Sequence, residues 1–279
     1  MKKKNFLLLG LVSLALLSFT QPSFKKILKM YPAVPSGLIT LDGQQISLKG
    51  FHISKHEVTN LEYREFLAAL EREGREADLK IAQINPSGWE IASFQETYHQ
   101  HPAYENYPVV NISYEGASLY CKWLEGIYRE KYGQKVQVRL PLKAEWIWAA
   151  LGGQQAPYPW GGYYLRDEKG KMLANYNPIT SEQVTFNQKT GKYEVVSGQI
   201  PAAVSATMGP APAESFIPNL FGLYNTSGNV AEMLQEKGLA IGGSWASPGY
   251  DIRVESISAY EGPSPQVGFR PVLVFDNPR

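Results

Sequence analysis

Apolar and polar residues alternate along residues 37–48, on either side of an Asp42-Gly43 pair. A period of two residues is typical of a half-exposed β-strand, and Asp-Gly favours a tight turn between two strands. The segment therefore predicts a β-hairpin. Residues 51–56 predict a further strand directly after it.

Three segments carry apolar residues at helical spacing. The first begins at Thr59, which has Glu62 three residues later, the pattern of a capping box. Ser113 precedes the second segment, and Pro141 lies at the start of the third, where helices tolerate proline. Short apolar runs predict strands at residues 107–112, 137–140, 239–244 and 267–275.

Two long stretches, residues 74–106 and 151–220, lack a sustained period. The first predicts a loop with one short helix, and the second predicts turns with a hairpin across Thr190 and Gly191. Early helices followed by short strands and loops predict an α+β fold, in a single domain from residue 34 to residue 279.

The N-terminus has the pattern of an export signal. Lys2 to Lys4 precede an apolar run at residues 6–19, a length that suits a signal peptide and is short for a membrane-spanning helix. We expect residues 1–20 to be a signal peptide or an uncleaved N-terminal anchor, and residues 21–33 to be a tether. No cysteine follows the run, which argues against a lipoprotein anchor. The remainder is expected outside the cytoplasm, in the periplasm or attached to the cell envelope.

Composition narrows the classes of partner. The 279 residues carry 27 Lys and Arg against 26 Asp and Glu, a net charge of +1, so no general field attracts nucleic acid. Cys121 is the single cysteine, which excludes an internal disulfide, and its apolar surroundings predict a core residue.

Motifs along the chain resemble the formylglycine-generating enzyme family, also called the sulfatase-modifying-factor family. The C-terminal ones are residues 221–233, 242–245 and 268–271, and earlier ones follow the family's order at residues 57–60, 107–110, 139–146 and 158–161. The resemblance implies a C-type-lectin-like α+β domain with short strands, a few helices and long loops.

The resemblance also implies a calcium ion at residues 225–232. The matching ligands are the Asn225 side chain, the carbonyls of Gly228 and Val230, and the Glu232 carboxylate. Calcium favours several converging oxygen ligands, which a glycine-bearing turn allows. The alternative is a plain turn with Glu232 at the surface.

The family's catalytic positions have changed. Ser247 and Ile252 stand where the catalytic members have a copper-binding cysteine pair, and Ala231 stands where an aromatic residue is expected. Copper(I) prefers thiolate ligands, which neither serine nor isoleucine supplies. We therefore expect no copper and no oxidation of a substrate cysteine by this route.

Histidines offer two further metal patterns. His52, His56 and Glu57 resemble the iron motif of a related sulfoxide-synthase group, but the carboxylate is one residue early. His99 and His101 would share one face of a strand. In both cases an ordinary structural role is the favoured interpretation.

Residues 101–104, 158–162 and 174–178 also resemble the gliding-motility and type IX secretion lipoproteins of Bacteroidetes bacteria. The sequence thus predicts a non-catalytic envelope scaffold or binding protein, with envelope proteins as partners. One alternative is a metal-dependent oxidoreductase of altered chemistry in the cleft around Ser244, Ser247 and Arg253. Another is a lectin-like glycan binder.

Overall fold

A computed structural model describes residues 23–89, 92–179, 184–195 and 209–275 of the protein. The signal peptide or anchor predicted at residues 1–20 lies outside this range. The helices are α1 Phe24–Ile27, α2 Asn60–Arg72, α3 Glu76–Ala82, α4 Ala92–Thr97, α5 Tyr114–Tyr132 and α6 Lys143–Leu151. The strands are β1 Ala33–Val34, β2 Gly37–Leu41, β3 Gln44–Leu48, β4 Phe51–Ile53, β5 Val136–Arg139, β6 Val184–Asn187, β7 Lys192–Val195, β8 Ala231–Met233, β9 Leu239–Ile241, β10 Ile257–Ala259, β11 Val267–Gly268 and β12 Val272–Phe275.

Two four-stranded sheets and two hairpins carry the described strands. The first sheet has the order β1-β4-β12-β5 and is antiparallel throughout. The second has the order β10-β9-β8-β11, with β8 and β11 parallel. Only residues 269–271 separate β11 from β12, so this short segment links the two sheets. The mixture of helices and short strands confirms the predicted α+β fold.

The largest apolar cluster lies between the first sheet and helices α2 and α5. Tyr63 and Phe66 of α2 pack against Tyr120 of α5, and Phe269 contacts Tyr63 and Tyr120 from the link between the sheets. Aromatic rings in edge contact add to the free energy gained by burial. Cys121 is buried in the same cluster, and burial raises the pKa of its thiol, as a core residue requires.

Local sequence signals set the element boundaries. Asp42 and Gly43 both have positive φ at the turn between β2 and β3. The Thr59 hydroxyl accepts from Glu62 N at 3.3 Å, and the Glu62 carboxylate accepts from Thr59 N at 2.8 Å, which completes the predicted capping box. The hairpin across residues 190 and 191 is also confirmed.

The predicted strand at residues 107–112 is wrong. Val109 N donates to Val58 O and Asn111 N donates to Ser264 O, so the segment bonds to loops on both sides. Its apolar run reflects burial, which a strand and a buried loop share. The preceding stretch also contains two helices, α3 and α4, where one was expected.

The predicted tether at residues 21–33 is wrong for its described part. Phe24 of α1 packs with ring-centroid distances of 5.3 Å to Tyr128, 5.7 Å to Tyr132 and 6.2 Å to Phe275. This segment therefore belongs to the folded domain. Within the described residues, no helix has the length and apolar character needed to cross a membrane.

We expect Phe24→Ala to lower the free energy of unfolding by about 1–2 kcal/mol, because it removes a half-buried aromatic ring from the core edge. Urea unfolding measures this loss. Lys25→Ala, an exposed change in the same helix, is the control and should leave the midpoint unchanged. Equal midpoints for Phe24→Ala and the parent chain would restore the tether interpretation.

Candidate functional site

A cleft of about 770 Å³ opens beside the Gly-Gly-Ser turn that follows β9. Its lining includes Ala231, Ser244, Ser247 and Gln266, together with residues 256–264. Two of the three changed catalytic positions, Ala231 and Ser247, therefore lie at the cleft. The third does not, because Ile252 is fully buried in a separate apolar cluster.

The hydroxyls of Ser244 and Ser247 accept hydrogen bonds from backbone N–H groups of the same turn. Ser247 Oγ accepts from Ser244 N at 3.0 Å, and Ser244 Oγ accepts from Ala246 N at 3.2 Å. Gly243 has φ of +66°, and a Cβ there would lie 2.4 Å from Asp251 O, so the turn requires glycine. Among the described residues that line the cleft there is no histidine or cysteine to activate a serine or bind copper.

Arg253, which was assigned to this cleft in the oxidoreductase alternative, is not among its lining residues. Its guanidinium lies 3.5 Å from the centroid of the Tyr250 ring, and its Nε donates to Tyr250 O. The side chain thus stabilises the local turn through a cation–π contact.

One wall of the cleft is the edge strand β10. Gly242 N donates to Ser256 O, and Tyr260 N donates to Gly238 O, which fixes the inward-facing residues of this antiparallel pair. Because bonding alternates along such a strand, Ile257 and Ala259 direct their backbone N–H and C=O groups away from β9. Within the described residues no strand pairs with the outer side of β10, so the cleft borders an open strand edge, flanked by the side chains of exposed residues 257–259.

The loop implied to bind calcium is a tight turn. Asn225, Gly228 and Asn229 all have positive φ, and a Cβ at Gly228 would lie 2.2 Å from Asn175 O. The loop leads directly into β8, so that Glu232 points into the protein interior.

Glu232 is fully buried, so the surface position of the plain-turn alternative is wrong. Arg270 Nε and Nη2 each donate to one Glu232 oxygen at 2.6 Å, and Trp146 Nε1 donates to Oε2 at 2.7 Å. A guanidinium bound to both oxygens opposes a second cation on the same carboxylate. Glu232 therefore does not fit as a calcium ligand here. Calcium binding by Asn225, Gly228 and Val230 stays a prediction.

A second buried carboxylate, Glu57, lies next to this loop. Asn229 Nδ2 donates to Glu57 Oε1 at 2.8 Å, and Asn225 Nδ2 donates to Oε2 at 3.3 Å. Burial, with a smaller contribution from the nearby Glu232, raises the pKa of Glu57 to about 7, although Arg270 and the Asn229 bond act in the opposite direction.

The Glu57 cluster also holds the loop at residues 209–213. Asn229 Oδ1 accepts from Ala211 N at 2.7 Å, and Asn225 Nδ2 donates to Ala213 O at 3.0 Å. The motif resemblance contained Glu57, but sequence reasoning missed its role. The sequence offered two signals for a buried Glu57. It is followed by the apolar Val58, and the motif loop downstream carries two asparagines, Asn225 and Asn229.

The histidine patterns do not form metal sites. His52 and His56 each use Nδ1 for a backbone carbonyl, of Tyr31 and Glu57 respectively. His99 is buried with Nδ1 on Asn60, and burial lowers its pKa to about 4, whereas His101 is exposed. Within the described part of the chain, no three His, Cys, Asp or Glu side chains converge on a metal position.

Glu232→Gln should lower the free energy of unfolding by about 3–5 kcal/mol, because it leaves the Arg270 charge buried without a counter-charge. Chemical unfolding measures the effect. The control is Glu115→Gln, which breaks the exposed pair with Lys237 and should change stability little. Equal losses in both variants would show that the buried pair is not a stability determinant.

The contribution of Glu57 to stability should fall between pH 5 and pH 8 by on the order of 2–3 kcal/mol. Its folded pKa of about 7 lies above the reference value of 4.5, so the folded state holds a proton that the unfolded state releases. This contribution is complete below the unfolded pKa and is lost as pH rises through the folded pKa. Buried His99, whose folded pKa of about 4 lies below its unfolded value, contributes an opposite change over the same range. Urea unfolding of the parent chain and of Glu57→Gln at both pH values, with a calcium chelator, therefore measures the fall as the difference between the two chains.

Glu57→Gln should abolish this part of the pH dependence, whereas the exposed Glu130→Gln should retain it. The same slope in Glu57→Gln and the parent chain would assign the fall to another group.

The chain is similar to known enzymes over much of its length. It is 25% identical over 244 residues to the formylglycine-generating enzyme of Mus musculus, covering 73% of this chain and 57% of the mouse protein. It is 35% identical over 129 residues to that of Thermomonospora curvata, covering 46% of this chain and 32% of the relative. The chain thus spans less than two thirds of either relative.

Among solved structures, the fold is similar to PvdO from Pseudomonas aeruginosa, with a TM-score of 0.55 and 20% identity over 86% of this chain and 92% of that one. At this identity the likeness shows the fold alone. The sequence profile of the sulfatase-modifying factor enzyme 1-like domain matches residues 33–274, which contain the cleft, the Glu232–Arg270 pair and, apart from Phe275, both sheets. The chain therefore belongs to the sulfatase-modifying factor enzyme 1-like (FGE-sulfatase) domain family.

Proposed function

We propose that this protein is a non-catalytic binding protein of the cell envelope that holds a partner in the cleft beside the Gly-Gly-Ser turn. The observation that carries the proposal is a cleft of about 770 Å³ whose lining has Ser247 and Ala231 at the family's reactive positions. The cleft is open to a ligand, yet its lining offers no thiol.

The single cysteine does not replace the missing pair. Cys121 lies on α5 inside the main core, and burial raises the pKa of its thiol, which disfavours the thiolate that binds copper. Ile252 is equally enclosed. Both positions support a role in packing and oppose cysteine oxidation by this protein.

The cleft wall favours an extended polypeptide as the partner. The free edge of β10 presents the backbone groups of Ile257 and Ala259, which a partner strand would pair with. Serines at positions 256, 258 and 264 and the amide of Gln266 surround this edge. Such hydroxyls and amides also suit sugar hydroxyls, so a glycan is the second candidate ligand.

The cellular setting is proposed from the sequence. The N-terminal lysines and apolar run support export, and the resemblance of residues 101–104, 158–162 and 174–178 supports a gliding-motility or type IX secretion assembly. In such an assembly the protein would act as a scaffold, and the partner in the cleft would be another envelope protein.

A photoreactive amino acid at Ser258 should crosslink the partner in intact cells, because this exposed residue lies on the open strand edge. Adding Ala259→Pro to the same chain removes one outward N–H and should reduce the crosslinked yield at least several-fold. The matched control places the photoreactive group at Tyr163, which is 81% exposed and lies outside the cleft. Mass spectrometry identifies the product.

A protein crosslinked from Ser258 only, and weakened by Ala259→Pro, supports the proposal. Equal yields from both positions would contradict it, as would stoichiometric bound copper together with formylglycine formed on a cysteine-containing peptide. A crosslinked glycan in place of a protein would assign the cleft to sugar binding.

A further inference from the structure

Five exposed lysines lie at one end of the domain, and we call them the N-terminal lysine face. Lys25, Lys26 and Lys29 come from α1 and the turn after it. Lys131 lies at the end of α5, and Lys135 directly precedes β5. The sequence concentrates charge here, because its first 41 residues contain six lysines and no acidic residue.

Aromatic packing brings the two groups of lysines together. The Phe24 ring contacts Tyr128 and Tyr132, which lie one turn apart on α5 and flank Lys131. Phe24 also contacts Phe275, whose register partner Val136 follows Lys135. The helix α1 is thereby held against the C-terminal end of α5, and its lysines are exposed beside Lys131 and Lys135.

The charge of this face is not compensated. None of its five lysines forms an ion pair with a described residue, whereas Lys55, Lys143 and Lys237 elsewhere on the domain each have a carboxylate partner. Two acidic residues share α5 with Lys131. Glu130 is exposed in the last turn of α5, and Glu125 is bound to Arg129 and to Val138 N. Because the whole chain has a net charge of only +1, this face is a local excess of positive charge.

The position of the face along the chain indicates its partner. The apolar run of residues 6–19 ends five residues before Phe24, and five residues reach at most about 18 Å, so the face lies within that distance of the run. Basic residues next to a membrane-inserted segment gain on the order of fivefold in binding per lysine at an anionic lipid surface.

We propose that the apolar run is retained as a membrane anchor and that the N-terminal lysine face lies on the anionic lipid surface beside it. The contact goes beyond the proposed partner binding and does not depend on it, because the cleft is elsewhere. Tyr260, which follows β10, donates from its hydroxyl to Ile112 O, just before the start of α5. The 19 residues of α5 span about 28 Å, so the cleft lies towards the far end of that helix, away from the lipid.

Headgroup quenching tests this orientation in the full chain. A fluorophore is attached at Gln137→Cys, two residues from Lys135, or at Gln235→Cys, whose backbone carbonyl binds Tyr114 at the other end of α5. Both positions are exposed and neutral, and the buried Cys121 does not compete for the label. The vesicles contain phosphatidylcholine alone or with about one third phosphatidylglycerol, and a nitroxide-bearing headgroup lipid is the quencher.

We expect quenching at position 137 that requires phosphatidylglycerol and that 1 M salt reverses, with little quenching at position 235. The triple variant Lys25→Gln/Lys26→Gln/Lys29→Gln should reduce the quenching at position 137 at least tenfold at equal lipid concentration. The control triple variant Lys169→Gln/Lys171→Gln/Lys189→Gln removes the same charge from exposed positions outside the face. It should leave the quenching at position 137 unchanged.

Three results would overturn the proposal. Quenching at position 137 that is equal in neutral vesicles would assign the contact to the apolar run alone. Equal loss in both triple variants would show that only total charge matters. Equal quenching at positions 137 and 235 would show that the domain has no fixed orientation on the lipid.

Discussion

Arg270 occupies the interior between the two sheets, and its burial constrains everything around it. A guanidinium has five N–H donors and stays charged, so each donor removed from water needs an acceptor. Glu232 accepts two bonds, and the carbonyls of Ser54 and Tyr224 accept others at 3.2 and 2.8 Å. These acceptors belong to residues 54, 224 and 232, so the bonds to Arg270 hold separate stretches of the chain together.

The same network holds the motif-bearing loop at residues 225–232 in place. Glu232 neutralises Arg270, Trp146 of α6 adds a third bond to the same carboxylate, and Asn225 and Asn229 bind the neighbouring Glu57. Substitution at any of these positions would leave a buried polar group without its partner. Ser247 and Ala231 lie at the cleft, and their side chains take no part in this network.

The two ends of the molecule have different chemistry. Around β10 the surface is rich in hydroxyls and open backbone groups, which suits a ligand recognised by hydrogen bonds. At the end of α5 the surface is lysine-rich and supported by the aromatic contacts of Phe24. Both surfaces depend on the same helix, whose start at Ser113 and end at Gly133 are set by its own caps.

The sequence alone determined what depends on residues close together in the chain. The capping box of Thr59 and Glu62, the Asp42-Gly43 hairpin and the absence of cysteine near Ser247 needed no tertiary information, because each involves neighbours within a few positions. Tertiary structure decided the roles of the acidic residues. Glu232 meets Arg270 across 38 residues, and Glu57 meets Asn229 across 172. Whether a carboxylate is a surface group, a calcium ligand or half of a buried ion pair depends on which charge the fold places beside it. No local sequence pattern encodes such a contact between residues that are far apart in the chain.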